Sequence, residues 1–294
     1  MNRGGGNLRR FSGAGGILLG LGLILGILPA DALTKQDASS RDLAFILNRA
    51  ADYCDKLSRS VLNFVCRERI EEWYYLATGP IERWAGRNIL DRRRAAHSYL
   101  YGYQLILPRT GGIRETRTLL REDGKDVFVQ DAPLKTHFFD YAFIVMGPLG
   151  LLSRANQPAY EFKIAGEEKI GGEPALIVEA VPKPGMIVDH LFGRIWLRVR
   201  DAGILKIQWN PASLRNYAKV EEIGRNFKME PALQLTSAYS FERNGLRFPG
   251  RYEVKEIYRR KGGAVFQRSE IAVVFEDYKF FTVETDVIYK GADR

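Results

Sequence analysis

The chain is poor in the residues from which enzymes most often build sites. Its 294 residues include two cysteines and three histidines (His97, His137 and His190). None of them falls in an H-x-x-x-H or C-x-x-C spacing, so the common zinc patterns are excluded. There is no G-x-S-x-G elbow, and no serine stands out as a nucleophile. The glycine-rich pieces Gly147-Pro148-Leu149-Gly150 and Gly171-Gly172 lack the lysine and spacing of a phosphate loop, so they read as turns or helix ends. Glu68, Glu71 and Glu72 with Asp189-His190 are the one conceivable acid–base group, but Glu68 and Glu72 read more simply as outward strand residues paired with neighbouring arginines. These absences predict a protein that is not an enzyme and uses no metal or cofactor. Poly-Ser stretches, Pro-rich linkers and internal repeats are also missing, so residues 33–294 are expected to form one domain.

At the N-terminus, Arg3, Arg9 and Arg10 precede an uncharged apolar run from Gly13 to Pro29, and Ala30-Asp31-Ala32 closes it. A basic start, an apolar middle and an A-x-A exit predict a secretory signal peptide over residues 1–32. The mature chain then starts near Leu33, in the periplasm or outside the cell. The alternative is an uncleaved anchor, against which the Gly-rich run falls short of the roughly 20 residues that span a bilayer. No cysteine sits at the exit, so the usual acyl-anchored lipoprotein signal is absent.

The formal charge is +9, and removal of the leader's three arginines and one aspartate leaves +7. An exported basic protein meets anionic head groups, wall polymers or acidic partners rather than nucleic acid. The plain alternative is solvated surface charge. Arg92-Arg93-Arg94 is the densest basic run and reads as a loop or strand edge.

In an oxidising compartment Cys54 and Cys66 predict a disulfide; two buried thiols or a metal pair are the alternatives, and no nearby histidine supports the metal. Twelve residues on one helix span about 18 Å, whereas a bridge needs Cα atoms within about 7 Å. A bonded pair therefore requires the helix carrying Cys54 to end before Cys66, and closure of that loop is worth about 3 kcal/mol.

That helix is drawn by Leu43, Ile46, Leu47, Ala50, Cys54 and Leu57, which recur at spacings of three and four. Ser39 with Asp42 suggests its start, and Ser58-Arg59-Ser60 its end. Phe138–Leu152 is a second candidate, interrupted at Gly147-Pro148, and Ala212–Val220 a short third. Most of the remainder alternates with the period of strands. Phe64 to Tyr75 is one such run, and Tyr99, Tyr101, Tyr103 and Leu105 share a face of another. Ile195, Leu197 and Val199 turn through Asp201-Ala202-Gly203 into Leu205, Ile207 and Trp209, a β-hairpin. Leu233, Leu235, Tyr239 and Phe241 lead to an Asn244-Gly245 turn. Tyr252, Val254 and Tyr258, then Val265 to Phe275, then Phe281, Val283, Thr285 and Val287 complete the series. Ala175 to Val181 is apolar on both parities and reads as a central strand. Nine or more strands with a leading helix predict an α+β fold, a large curved antiparallel sheet with helices on its concave face.

Fourteen tyrosines, sixteen phenylalanines and four tryptophans are numerous, and many alternate along strands. Tyr and Trp suit a boundary with one apolar and one wet side; core packing alone is the competing account. The candidate lining of an apolar hollow is Trp73, Tyr75, Tyr101, Ile195, Leu197, Trp209, Tyr239, Phe241, Tyr252 and Val254, with Phe138–Leu152 as its lid.

Gly193-Arg194-Ile195-Trp196-Leu197, with Asp201 and Ile204-Leu205-Lys206-Ile207, resembles a hairpin of the periplasmic lipoprotein-carrier superfamily, the LolA/LolB-like group that includes RseB-type stress sensors. The strand in Gly171-Gly172-Glu173-Pro174-Ala175-Leu176-Ile177-Val178 and the following Pro182-Lys183-Pro184 fit the same pattern. Asn63-Phe64-Val65-Cys66-Arg67-Glu68 and Asp277-Tyr278-Lys279-Phe280-Phe281 resemble segments of an uncharacterised exported branch of the group. The resemblance implies an open half-barrel partly covered by helices, which binds acyl chains or lipidated segments and makes no bonds. The expected function is an exported, non-enzymatic lipid or lipoprotein carrier. The alternative is an RseB-type envelope-stress sensor that contacts a membrane protein.

Overall fold

The computed structural model describes residues 30–60, 63–75, 94–106, 113–137, 139, 146–186, 188, 191–214 and 217–281. Helix α1 covers Ala30–Ser60. It ends where the sequence predicts, but it starts well before Ser39, because the Ala, Leu, Lys and Gln residues upstream are good helix formers and nothing there stops the helix. From Ser39 onward the chain forms one compact unit. Ile46, Ala50, Cys54 and Leu57 form the buried stripe of α1, as the spacing requires.

The strands are β1 (Phe64–Tyr75), β2 (Arg94–Ile106), β3 (Arg114–Glu122), β4 (Lys125–Val129), β5 (Tyr160–Ile170), β6 (Glu173–Pro182), β7 (Gly193–Arg198), β8 (Ile204–Trp209), β9 (Glu230–Pro231), β10 (Gln234–Ala238), β11 (Phe241–Arg243), β12 (Leu246–Phe248), β13 (Arg251–Arg259) and β14 (Val265–Phe280). Twelve form one sheet in the order β4-β3-β2-β1-β14-β13-β10-β8-β7-β6-β5, with the short β9 beside β13; β11 and β12 make a separate ribbon. The pairings are antiparallel. β4 and β5 lie at opposite ends of this order and do not pair. The result is an open half-barrel of α+β class.

β14 runs for sixteen residues and pairs with both β1 and β13. The β7–β8 hairpin forms as predicted, although the residue with left-handed backbone is Ala202 (φ 56°), not Gly203. Gly203 is there for space, since a Cβ would lie 3.0 Å from an Asp201 oxygen and 3.2 Å from the Arg198 guanidinium. Asn244 and Gly245 both have positive φ (52° and 75°), the type I′ geometry that closes β11–β12.

Several expectations need correction. Ala175 to Val181 lies in β6, the second strand from an edge. Its apolar character on both parities reflects two coverings: Val178 and Ala180 belong to the main core, and Ala175 to a small cluster with Trp196 and Leu205. Phe241 does not continue the strand of Leu235 but opens the ribbon. Of the Phe138–Leu152 candidate, residues 138 and 140–145 lie outside the described residues, and Pro148 stands at the start of its described helical part. It sits in the first turn of α2 (Gly147–Leu152), where its missing N–H costs nothing. The Ala212–Val220 candidate becomes a 3₁₀ turn at Pro211–Ser213 and helix α3 (Tyr217–Phe227).

The expected disulfide is absent: Cys54 and Cys66 are free and buried. α1 ends before Cys66, as a bridge would need, but the two thiols address different partners. Cys54 donates to the Pro148 carbonyl at 3.7 Å, and Cys66 lies against Tyr278, whose hydroxyl donates to the Pro249 carbonyl at 2.7 Å. Residues 1–29, Phe138, Asp189, His190 and 282–294 lie outside the described residues, and with them most of the leader, the Asp189-His190 pair and the strand predicted at Val283–Val287. Among the described residues no helix is long and apolar enough to cross a membrane.

Candidate functional site

The face of the sheet that meets α1 carries the alternate residues of nearly every strand. On β6, β7, β8 and β10 these are Val178, Ala180, Ile195, Leu197, Ile204, Ile207, Trp209 and Leu235, all buried in one core. Trp209 gives its indole N–H to Ser237 Oγ at 2.7 Å, so the ring satisfies its one donor without leaving the core. Polar ties join α1 to the β7–β8 turn, to β12 and to the α2 segment. Arg49 donates to the Arg200 carbonyl. The Tyr53 hydroxyl accepts from Arg247 N–H at 2.7 Å and donates to its carbonyl at 3.2 Å. Gln157 Nε2 donates to the Leu47 and Leu152 carbonyls, both at 2.8 Å, which fastens α2 to α1.

The other half of the same face, on β1, β2, β3, β13 and β14, is of different character. Tyr99, Tyr101, Tyr103 and Leu105 share it, as the alternation predicts. Here too lie Glu68 and Glu72, at 0% and 3% exposure. These two do not point outward as the sequence suggests. β1 places Phe64, Cys66, Glu68, Ile70, Glu72 and Tyr74 on the buried side and sends Arg67, Arg69 and Glu71 to solvent. Glu68 takes a two-pronged contact from Arg117 (Nε 2.6 Å, Nη2 3.2 Å), and Arg117 also reaches Glu115 at 2.9 Å. A second buried group lies on β13–β14. Arg268 Nη1 donates to both oxygens of Glu256 at 2.8 and 3.0 Å, and Ser269 and Tyr258 hydroxyls donate to the same carboxylate at 2.7 and 2.6 Å. A bulge between Glu256 and Ile257 accompanies this placement, and bulges re-aim side chains.

Across this half runs the segment from Ala132 to His137. The Tyr101 hydroxyl donates to the Pro133 carbonyl at 3.3 Å and accepts from Lys135 N–H at 3.2 Å. Glu72 accepts the His137 backbone N–H at 2.8 Å, and the His137 ring stacks on Tyr74 with centroids 4.2 Å apart. Burial pushes the Tyr101 hydroxyl up to about 12, and the tyrosines Tyr239 and Tyr252 are raised for the same reason. His137 is lowered, first by desolvation and then by the positive Arg268.

Of the ten candidate lining residues, Tyr101, Ile195, Leu197, Trp209, Tyr239, Tyr252 and Val254 are buried in the inner core, and Phe241 packs against it. Trp73 and Tyr75 lie on the opposite parity of β1, on the outer face. The residues that sequence reasoning missed are Arg117, Glu256 and Arg268. The only signal for Glu256 was its parity with Tyr252 and Val254; Arg268 had none, because a bulge breaks the count. Among the described residues no cluster of His, Cys, Asp and Glu is arranged to hold a metal ion.

An open antiparallel sheet with helices over one face thus defines the class of fold. No family model matches the chain and no curated protein matches it. The chain is similar to several solved structures. One is described as an outer membrane lipoprotein-sorting protein domain from Vibrio parahaemolyticus (12% identity, TM-score 0.38, covering 82% of this chain and 94% of that one). Another is a LolA superfamily protein from Nitrosomonas europaea (12%, 0.34, 80% and 93%). A third is a DUF1329 family protein from Desulfovibrio piger (10%, 0.36, 83% and 97%).

Proposed function

We propose that this chain is an exported, non-enzymatic binding protein whose inner sheet face receives an acyl chain, either of a free lipid or of a lipidated protein. The observation that carries the reading is the open sheet itself: the apolar inner residues of β6, β7, β8 and β10 share one core with the buried stripe of helix α1. A helix held by a handful of side-chain ties can shift to admit a hydrocarbon chain. Each methylene moved from water to that face is worth about 0.8 kcal/mol, part of which is offset by the ordering of the ligand. Binding is then firm and reversible, as a carrier needs. The basic, apolar N-terminal segment supports export. Tyr101, Ile195, Leu197, Trp209, Tyr239, Tyr252 and Val254 are the residues proposed to meet the ligand.

Native mass spectrometry of the purified protein tests this. Adducts in the lipid mass range, or uptake of an added phospholipid or acylated peptide, are expected. A spectrum that stays at the mass of the bare protein after incubation with both would overturn the reading.

A further inference from the structure

At the Tyr75 end of β1 the two parts of an interfacial surface come together. Trp73 and Tyr75 pack edge to face at 5.8 Å, and Tyr75 stacks on Phe266 at 5.8 Å. The Arg94 guanidinium lies over the Trp73 ring, 4.3 Å from its centroid. All three rings are half-buried. Beside Phe266, Val265 is 62% exposed, and it pairs with Arg259 where β13 turns into β14. That turn is Arg259-Arg260-Lys261-Gly262-Gly263, exposed throughout. Among the described residues none of Arg94, Arg259, Arg260 or Lys261 forms an ion pair. This contrasts with Arg67, Arg69 and Lys255 on the same strands, which meet Asp277, Glu276 and Glu270. Glu230 lies opposite Arg259 in the β9 register.

Aromatic rings that are partly wet, an exposed apolar side chain and four cations without acid partners among the described residues are the chemistry that suits the boundary of an anionic bilayer. We propose that this end of the sheet docks on the surface of a membrane rich in anionic lipid head groups, with Val265, Trp73 and Tyr75 at head-group depth and the β13–β14 turn against the phosphates. The occupant is a bilayer surface, because a soluble acidic partner would account for the cations but not for Val265 beside them. The surface is separate from the inner face and does not depend on it.

The test uses the full chain carrying Val265→Cys. Cys54 and Cys66 are buried, so an environment-sensitive fluorophore attaches selectively at position 265. With phosphatidylglycerol vesicles the probe is expected to brighten and shift to the blue, and with phosphatidylcholine vesicles it should stay as in water. Attachment through the apolar N-terminal segment alone would leave this probe wet. Neutralisation by Arg259→Ala, Arg260→Ala and Lys261→Ala together should weaken vesicle binding read by the probe about a hundredfold, near fivefold per charge. These side chains are exposed, so the fold should survive, and an unchanged circular dichroism spectrum checks it. A probe that stays wet with both vesicles, that responds equally to both, or that responds as strongly to soluble polyglutamate without vesicles would overturn the proposal. So would a triple variant that binds as well as its parent.

Discussion

Arg117 holds two carboxylates that the fold has taken out of water, and its removal should cost more than the loss of any exposed charge. Glu68 and Glu115 are 0% and 4% exposed at the side chain, and Arg117 makes two hydrogen bonds to the first and one to the second. Arg117→Met keeps most of the volume and leaves both carboxylates without this cation. Breaking a buried pair from one side costs about 3–5 kcal/mol, since the remaining charge stays buried. Against a total stability of about 5–15 kcal/mol, that is a large fraction. With a urea dependence near 3 kcal/mol/M, the unfolding midpoint should fall by about 1–1.7 M. The pH dependence has a definite sign. In the variant, burial without a cation raises the folded-state carboxyl pKa above its unfolded value, near 4.3 for a glutamate. The folded state then binds protons that the unfolded state does not, so the variant regains stability as pH falls from 7 towards 5. Glu68→Gln added to Arg117→Met should recover part of the loss at pH 7. Urea titrations followed by far-ultraviolet circular dichroism at both pH values decide the matter. A loss under about 1 kcal/mol, or one identical at pH 7 and pH 5, would refute the reasoning.

Gly193→Ala should destabilise the fold by about 1–3 kcal/mol, because its Cβ would collide with the Gln208 carbonyl oxygen on the neighbouring strand; thermal melts check it, and an unchanged midpoint would contradict the close approach of β7 and β8. Both thiols should be unreactive towards a disulfide reagent in the folded protein at pH 8 and titrate as two on unfolding, since burial pushes Cys54 up to about 12 and raises Cys66 as well; no free thiol in denaturant would restore the bridge. Glu173 and Glu242 are lowered by their hydrogen bonds to Arg198, and Asp201 is lowered by Arg198 against its own desolvation. The stability they contribute is present above the ordinary carboxyl range and is lost as pH falls through their folded values. Arg198→Met should therefore flatten the decline in melting temperature on acidification below pH 5, and a slope equal to the parent's would argue against the network.

Local periodicity carried much of this molecule. The stripe Ile46, Ala50, Cys54 and Leu57 specified both the existence and the buried side of α1, and the period of two on β2 placed Tyr99, Tyr101 and Tyr103 on one face before any neighbour was known. Asn244-Gly245 marked its hairpin because few other residue pairs accept positive φ twice. Parity by itself, however, cannot say which face of a strand is buried when both carry large residues. Trp73 and Tyr75 read as lining from their chemistry, while Glu68 and Glu72 read as surface. β1 reverses both, because Arg117, two strands away, supplies the cation that lets Glu68 go inside. The pairing of Cys54 and Cys66 was likewise beyond the sequence: spacing permitted a bridge, but the thiols' directions depend on α2 and on Tyr278, which approach from distant parts of the chain. What the sequence settled on its own are the quantities that depend on neighbours within a few residues, namely where strands and helices form and where they turn. The tertiary structure decided which face of each strand is inside, which charges are buried and which cations are left facing water, since those depend on which segments meet across the sheet.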